Sequence, residues 1–207
     1  MALIEDLIAK LRGLNDSGTR QLPSGAWLIG KLPPRSDGLF ADAYLHEIYR
    51  GLTEDQLKQL ERLIDLKFPE PLRAFYRQAN GLSLFSDSLS IRGLRTDYSR
   101  NPAVREPVSL EYGNTIERPA APRQGYEHAR KQIRFGFLAQ PGAELVVYLE
   151  DETVEAVPAR ELGPVLCSWP GLEAMLTSEV DRMVKLYVDR RGNLDPLNPL
   201  DPPWSTE

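Results

Sequence analysis

The hydrophobic period of this chain switches from helical to strand-like near residue 80, and that switch restricts the fold more than any other feature. The stretch FPEPLRAFYRQANGLSLF (residues 68–85) contains the change. Pro69 and Pro71 suit the start of a helix, where a backbone N–H has no intrahelical partner to lose. Leu72, Phe75, Tyr76 and Ala79 fall on one helical face, and Asn80-Gly81 supplies a stop, with a glycine free to take positive φ. Just upstream, Thr53-Glu54-Asp55-Gln56 has the form of a capping box, followed by a stripe of Leu57, Leu60, Leu63 and Ile64. Downstream the alternation belongs to strands. LSLF and LSI (82–85 and 89–91) flank an Asp87-Ser88 turn, and IRFGFLA (133–139), ELVVYLE (144–150) and TVEAVPA (153–159) follow. Gln140-Pro141-Gly142-Ala143 and Asp151-Glu152 are the turns of an antiparallel meander. From Ser168, SWPGLEAML opens a helix to about Val188, with Leu172, Met175, Leu176 and Val180 along its face. Helices, then strands, then a helix predict an α+β protein: helices packed on a mostly antiparallel, mixed β-sheet in a single domain.

The flanking regions read less clearly. Residues 3–14 place Leu3, Leu7, Ile8, Leu11 and Leu14 on one stripe of an amphipathic helix. A Gly- and Pro-rich span follows, with AWLIGKL (26–32) as one short strand, and ADAYLHEIYR (41–50) reads as a helix of about three turns. The chain thus divides into an N-terminal helix with a Pro/Gly-rich extension (1–50), a central domain (51–190) and a proline-rich extended tail (191–207). Residues 92–132 carry prolines at 102, 107, 119 and 122, and no strand is assigned there.

Composition excludes several classes of chemistry. The single cysteine, Cys167, forbids an intramolecular disulfide and fits a reducing compartment. The opening MALIEDLIAKL has acids where a secretory signal carries basic residues, so a cytoplasmic protein is expected. The two histidines, His46 and His128, stand far apart and outside any zinc-ligand spacing, and both read as structural or surface residues. Cys167 precedes the SWPG helix start, a place where a thiol pKa can fall, though a buried small hydrophobe is the plainer reading. No phosphate-binding loop, dinucleotide turn or nucleophile elbow is present. Glu150-Asp151-Glu152 is a weak metal set, because consecutive residues of a strand and turn point in different directions. Trp169, Tyr126 and Tyr148 are aromatic candidates for a binding surface. No catalytic residue, metal or cofactor is assigned.

Charge is the more informative property. The net charge is −5, which disfavours general nucleic-acid binding. Residues 90–134 hold nine basic side chains against five acidic ones, whereas residues 135–181 hold nine acids against Arg160 alone. Such blocks are ordinarily solvated faces; the sharper reading is an acidic face directed at a basic partner.

The segment LTEDQLKQLERLIDLKFPEPLRAFYRQANG (52–81) resembles the signature region of the SUKH superfamily. That group comprises the SMI/KNR cell-wall-synthesis regulators and killer-toxin-resistance proteins together with many bacterial immunity proteins. The later meander and the SWPGLEAML helix follow in the same order, with Pro69, Asn80 and Gly81 as the motif's structural residues. Two departures stand out: Gly142-Ala143-Glu144 where the family often has Gly-Asp or Gly-Asn, and a longer 92–132 loop. The resemblance implies a non-enzymatic protein-binding domain, commonly one that neutralises a cognate toxin. A basic nuclease toxin would suit an acidic inhibitor, with Glu150, Asp151, Glu152 and Glu155 as part of the partner-binding face. A housekeeping scaffold linked to envelope synthesis is the alternative, and an enzyme built on unrecognised carboxylates the last.

Overall fold

In a computed structural model, the described residues are 3–33, 42–99, 105–116, 131–138, 142–159, 164–192, 194 and 200–204. They build one nine-stranded sheet in which spatial order equals chain order. The strands are β1 (Arg20–Gln21), β2 (Trp27–Lys31), β3 (Tyr44–Arg50), β4 (Ala79–Leu84), β5 (Leu89–Ile91), β6 (Gln132–Leu138), β7 (Ala143–Tyr148), β8 (Val154–Pro158) and β9 (Cys167–Trp169). Every pairing is antiparallel, so the parallel component expected of a mixed sheet is confined to one isolated bridge, Gly93 with Ser109. Four α-helices accompany the sheet: α1 (Leu3–Leu14), α2 (Glu54–Ile64), α3 (Glu70–Gln78) and α4 (Leu172–Asp189). The protein is α+β.

The helix signals act as local chemistry dictates. Thr53 Oγ1 accepts from the Gln56 N–H at 3.3 Å, and Gln56 Oε1 accepts from the Thr53 N–H at 2.9 Å. That reciprocal cap satisfies two donors of the first turn of α2. Leu57, Leu60 and Ile64 are buried, but Leu63 is 37% exposed: it lies about 100° from Ile64 around the helix and misses the core. In α3, Pro69 is the N-cap, Pro71 lies in the first turn, and Leu72, Phe75 and Tyr76 are buried. Its outer side is tied to α2 by Arg73 to Glu61 at 2.6 Å and Glu54 at 2.7 Å, and by Arg77 to Glu54 at 2.6 Å.

Three expectations fail, each because pairing partners decide. Of residues 41–50, expected as a helix, Tyr44–Arg50 form the strand β3. Tyr44, Leu45 and His46 are all buried, so the alternation that marks a strand is erased by cover on both faces. The stop of α3 comes earlier than Asn80-Gly81: Ala79 is already extended (φ −146°, ψ 130°), and the chain runs straight into β4. Ser168 does not open a helix; residues 167–169 pair with β8 as an edge strand, and α4 begins at Leu172. Of the tail, Leu200 is buried and its N–H donates to Ser88 Oγ at 3.1 Å.

The two faces of the sheet have different tasks. In an antiparallel ladder, directly opposed residues share a face. The row Ile48, Leu82, Ile91, Leu145 and Ala156 joins the helices in a common core with Leu57, Phe75 and Met175. β1–β3 belong to this same sheet, and α1, β2 and β3 add Ile4, Leu7, Leu11, Ile29 and Leu45 to the same core. The adjacent row Leu28, Glu47, Ser83, Ser90, Phe137, Glu144 and Val157 points the other way.

Candidate functional site

The outer face carries polar chemistry that the inner face cannot accommodate. Over β6 and β7 it is closed. Arg92 (5% exposed) and Glu144 (6% exposed) form a bidentate pair at 2.5 and 2.9 Å, with the guanidinium carbon 5.5 Å from the centre of the Phe137 ring. The segment 105–116, which ends in a π-helical turn (Tyr112–Ile116), lies over this pair: a methyl group on Gly113 would sit 2.7 Å from the guanidinium.

Over β3–β5 the face opens into a cleft of about 490 Å³, walled by Tyr44, Glu47 and Tyr49 from β3, Ser83 and Ser90 from β4 and β5, and Arg105, Glu106 and Val108 from the covering segment. Arg105 fixes one wall, donating to Glu47 Oε1 at 2.6 Å and to Asp42 Oδ2 at 3.1 Å. Burial raises the Glu47 pKa despite the opposing charge of Arg105 and the hydrogen bond from Tyr49 Oη at 3.0 Å. Burial, then Glu47, pushes the Tyr49 hydroxyl up, so it remains a donor. Asp87 stands at the β4–β5 turn, where Phe85, Ser86 and Asp87 all have positive φ (50°, 51° and 64°). Its Oδ1 accepts from Ser83 Oγ at 2.5 Å and from Ser90 Oγ at 3.2 Å. These serines face a carboxylate, with no imidazole, thiol or amine among the described lining side chains.

The acidic residues singled out from the sequence lie elsewhere. Glu150, Asp151 and Glu152 are exposed at the tip of the β7–β8 hairpin. Asp151 Oδ1 accepts from the Thr153 N–H at 3.1 Å, and the Glu152 N–H donates to Tyr148 O at 3.0 Å. Glu155 stands along β8 and accepts from Tyr148 Oη at 2.7 Å. Pro69, Asn80 and Gly81 are structural in position. Both Asn80 amide groups bond the Leu94 backbone, at 2.7 and 2.8 Å, and Gly81 has φ +101° where a Cβ would meet Ile91 O at 2.5 Å. They clasp the start of β4 to the strand leaving β5.

Other candidates are absorbed into the core. His46 is buried against Phe85 (ring centres 4.5 Å apart), accepts from the Phe85 N–H through Nδ1, and is lowered to a pKa of about 3 by burial. Trp169 is buried, and Tyr148 is half-buried. Burial raises the Cys167 pKa, the reverse of what a helix start would do, because Cys167 lies in β9. Tyr126 and His128 lie outside the described residues. Among the described residues no group of His, Cys, Asp and Glu can hold a metal ion, and no helix is long and apolar enough to cross a membrane.

The cleft escaped sequence reasoning because its walls come from residues 42–49, read as helix, and from 92–132, where no element was assigned. The Ser83, Asp87, Ser90 spacing was its only local trace.

An all-antiparallel sheet with the four α-helices sharing its core, and a polar cleft on the outer face, define a class: an α+β domain. Residues 51–150 match the SMI1 / KNR4 family (SUKH-1), which supports membership of the SUKH superfamily. The matched span runs from the capping box of α2 to the end of the β7 segment, and so includes the Asn80-Gly81 clasp and Asp87. No curated protein matches the chain.

Proposed function

We propose that this chain is a non-catalytic protein-binding module that captures and neutralises a cognate toxin domain, with a basic nuclease-like domain as the partner its charge suits. SUKH proteins are generally non-catalytic and bind partner proteins, which supports the general part of this reading. The observation that carries the finer part is the β7–β8 tip. Three consecutive carboxylates, Glu150, Asp151 and Glu152, are exposed on a turn whose backbone is held by the Thr153 and Glu152 hydrogen bonds. Glu155 extends the same acidic edge. Charges held in place before contact speed the capture of an oppositely charged protein and exclude like-charged competitors. The net charge of −5 acts in the same sense.

The test begins with affinity capture from the native host and identification of the retained protein by mass spectrometry, together with the neighbouring reading frames. Affinity of the purified pair is then measured against salt for the wild type and for the variant with Glu150, Asp151, Glu152 and Glu155 changed to Lys. Affinity should fall more than about tenfold and the salt slope should diminish. An unchanged affinity and slope would sink the acidic-edge reading, and a partner set without a toxin would sink neutralisation.

A further inference from the structure

We propose that the outer-face cleft is an anchor pocket for a lysine or arginine side chain of the protein partner, with Asp87 as the counter-ion. The inference rests on the reading of the chain as a protein-binding module, and it assigns a second contact region, several strands away from the β7–β8 tip.

Charge selects the occupant. Four carboxylates line the cleft (Asp42, Glu47, Asp87 and Glu106) against two guanidinium groups, Arg95 and Arg105. Three of the four are engaged by the chain itself. Asp42 and Glu47 hold Arg105, and Glu106 accepts from the Thr96 N–H and the Asp97 N–H, each at 2.8 Å, and from Thr96 Oγ1 at 2.6 Å. Asp87 differs. Its one occupied oxygen receives the Ser83 and Ser90 hydroxyls, and among the described residues no cationic side chain pairs with it. Two neutral donors orient the carboxylate without cancelling its charge, so it stays an acceptor with one oxygen uncommitted. Beside it, Ser86 Oγ is buried in the cleft wall with no hydrogen-bond partner. A buried hydroxyl in that state costs free energy that an incoming donor removes.

The rim selects a side chain in place of a free ion. Six large hydrophobic residues are exposed among the described residues, and three of them, Tyr98 (65%), Val108 (43%) and Tyr112 (51%), stand on the segments flanking the cleft. Val108 lines it directly, and Ser109 Oγ holds both tyrosines in place, meeting Tyr98 Oη at 3.4 Å and the Tyr112 N–H at 3.3 Å. A lysine or arginine side chain has an apolar stem and a charged head, which matches apolar side chains standing beside the exposed Asp87 carboxylate. Exposed tyrosines around a desolvated anchor are the usual anatomy of a protein interface. A divalent cation fits poorly: calcium takes six to eight oxygen ligands, and here a single uncommitted carboxylate faces hydroxyls.

The probe is acetyl-Gly-Arg-Gly-amide, titrated into the full-length 15N-labelled protein, with the norleucine peptide as the uncharged control. The amides of Glu47, Ser83, Asp87 and Ser90 should shift and saturate with a millimolar dissociation constant, and the norleucine peptide should leave them in place. Asp87→Asn keeps the side-chain shape, the acceptor for the serines and tolerance of positive φ, and it should weaken binding about fivefold. Glu5→Lys, on the exposed side of α1, makes the same charge change away from both proposed contact regions and should leave binding unchanged. Equal shifts with norleucine, largest shifts at residues 150–152, or undiminished binding by the Asp87→Asn variant would each overturn the assignment. These outcomes are read without any partner protein, so failure to capture a toxin leaves them intact and the two proposals fail separately.

Discussion

Removing one member of the Arg92–Glu144 pair asks whether the closed half of the outer face is a true interior. Both side chains are nearly inaccessible, with 5% and 6% exposure, and their contact is bidentate. Glu144→Ala removes the bidentate carboxylate from a guanidinium buried under residues 105–116. Stripping one partner from a buried pair costs about 3–5 kcal/mol, because the remaining charge keeps its desolvation penalty. For a chain of this length each kcal/mol moves the melting temperature by roughly 2–4 °C, so a drop on the order of 6–20 °C is expected. Urea titration at constant m-value measures the same loss directly. Glu144→Gln retains one acceptor oxygen and should fall between wild type and Ala. The decisive variant is the double change Arg92→Met with Glu144→Leu. It removes both desolvation penalties, and comparable replacements range from neutral to about 4 kcal/mol stabilising. The double variant should therefore be more stable than Glu144→Ala alone, a strongly non-additive cycle. A Glu144→Ala loss below about 1 kcal/mol, or a double variant no better than the single, would show that water screens this pair.

Further outcomes follow from individual contacts. Burial holds His46 at a folded pKa of about 3 while the unfolded residue titrates near 6.5, so the unfolded state binds the extra proton between these values. Stability from the neutral imidazole is therefore complete above about 6.5 and is lost by about 1.4 kcal/mol per unit as pH falls toward 3. His46→Phe should flatten that slope in urea midpoints taken from neutral to mildly acidic pH; parallel slopes would refute the burial argument. Gly81→Ala places a Cβ 2.5 Å from Ile91 O at φ +101° and should cost more than about 1 kcal/mol by thermal melting. Asn80→Ala removes both bonds to the Leu94 backbone, and a loss of about 2 kcal/mol is expected in the same melts. Thr53→Ala deletes the acceptor half of the α2 capping box and should cost about 1 kcal/mol, largely restored by Thr53→Ser.

What sequence reading recovered is the set of features whose causes lie within a few residues. The Thr53/Gln56 cap, the proline start of α3, the burial of Leu72, Phe75 and Tyr76, and the strands β6–β8 all have this property. Asp151-Glu152 read correctly as a turn for the same reason: an acidic pair between two alternating runs has nowhere else to go. β3 and β9 went unread because a strand buried on both sides, or only three residues long, has no periodic signature of its own. The cleft was illegible on stronger grounds. Its walls are separated by up to 76 residues of chain, Leu32 to Val108, and only the β3–β4–β5 register brings Glu47, Ser83 and Ser90 into one row.

The sequence by itself determined the α+β class, the cap and the acidic character of the chain, since these follow from propensity, period and charge. Tertiary structure alone decided which face each polar residue occupies. It turned Arg92 and Glu144 inward under the covering segment, left Asp87 outward with hydroxyl partners only, and separated the β7–β8 tip from the cleft. The reason is physical. In a pleated sheet the side to which a residue points depends on register, and register is set by the strands next to it.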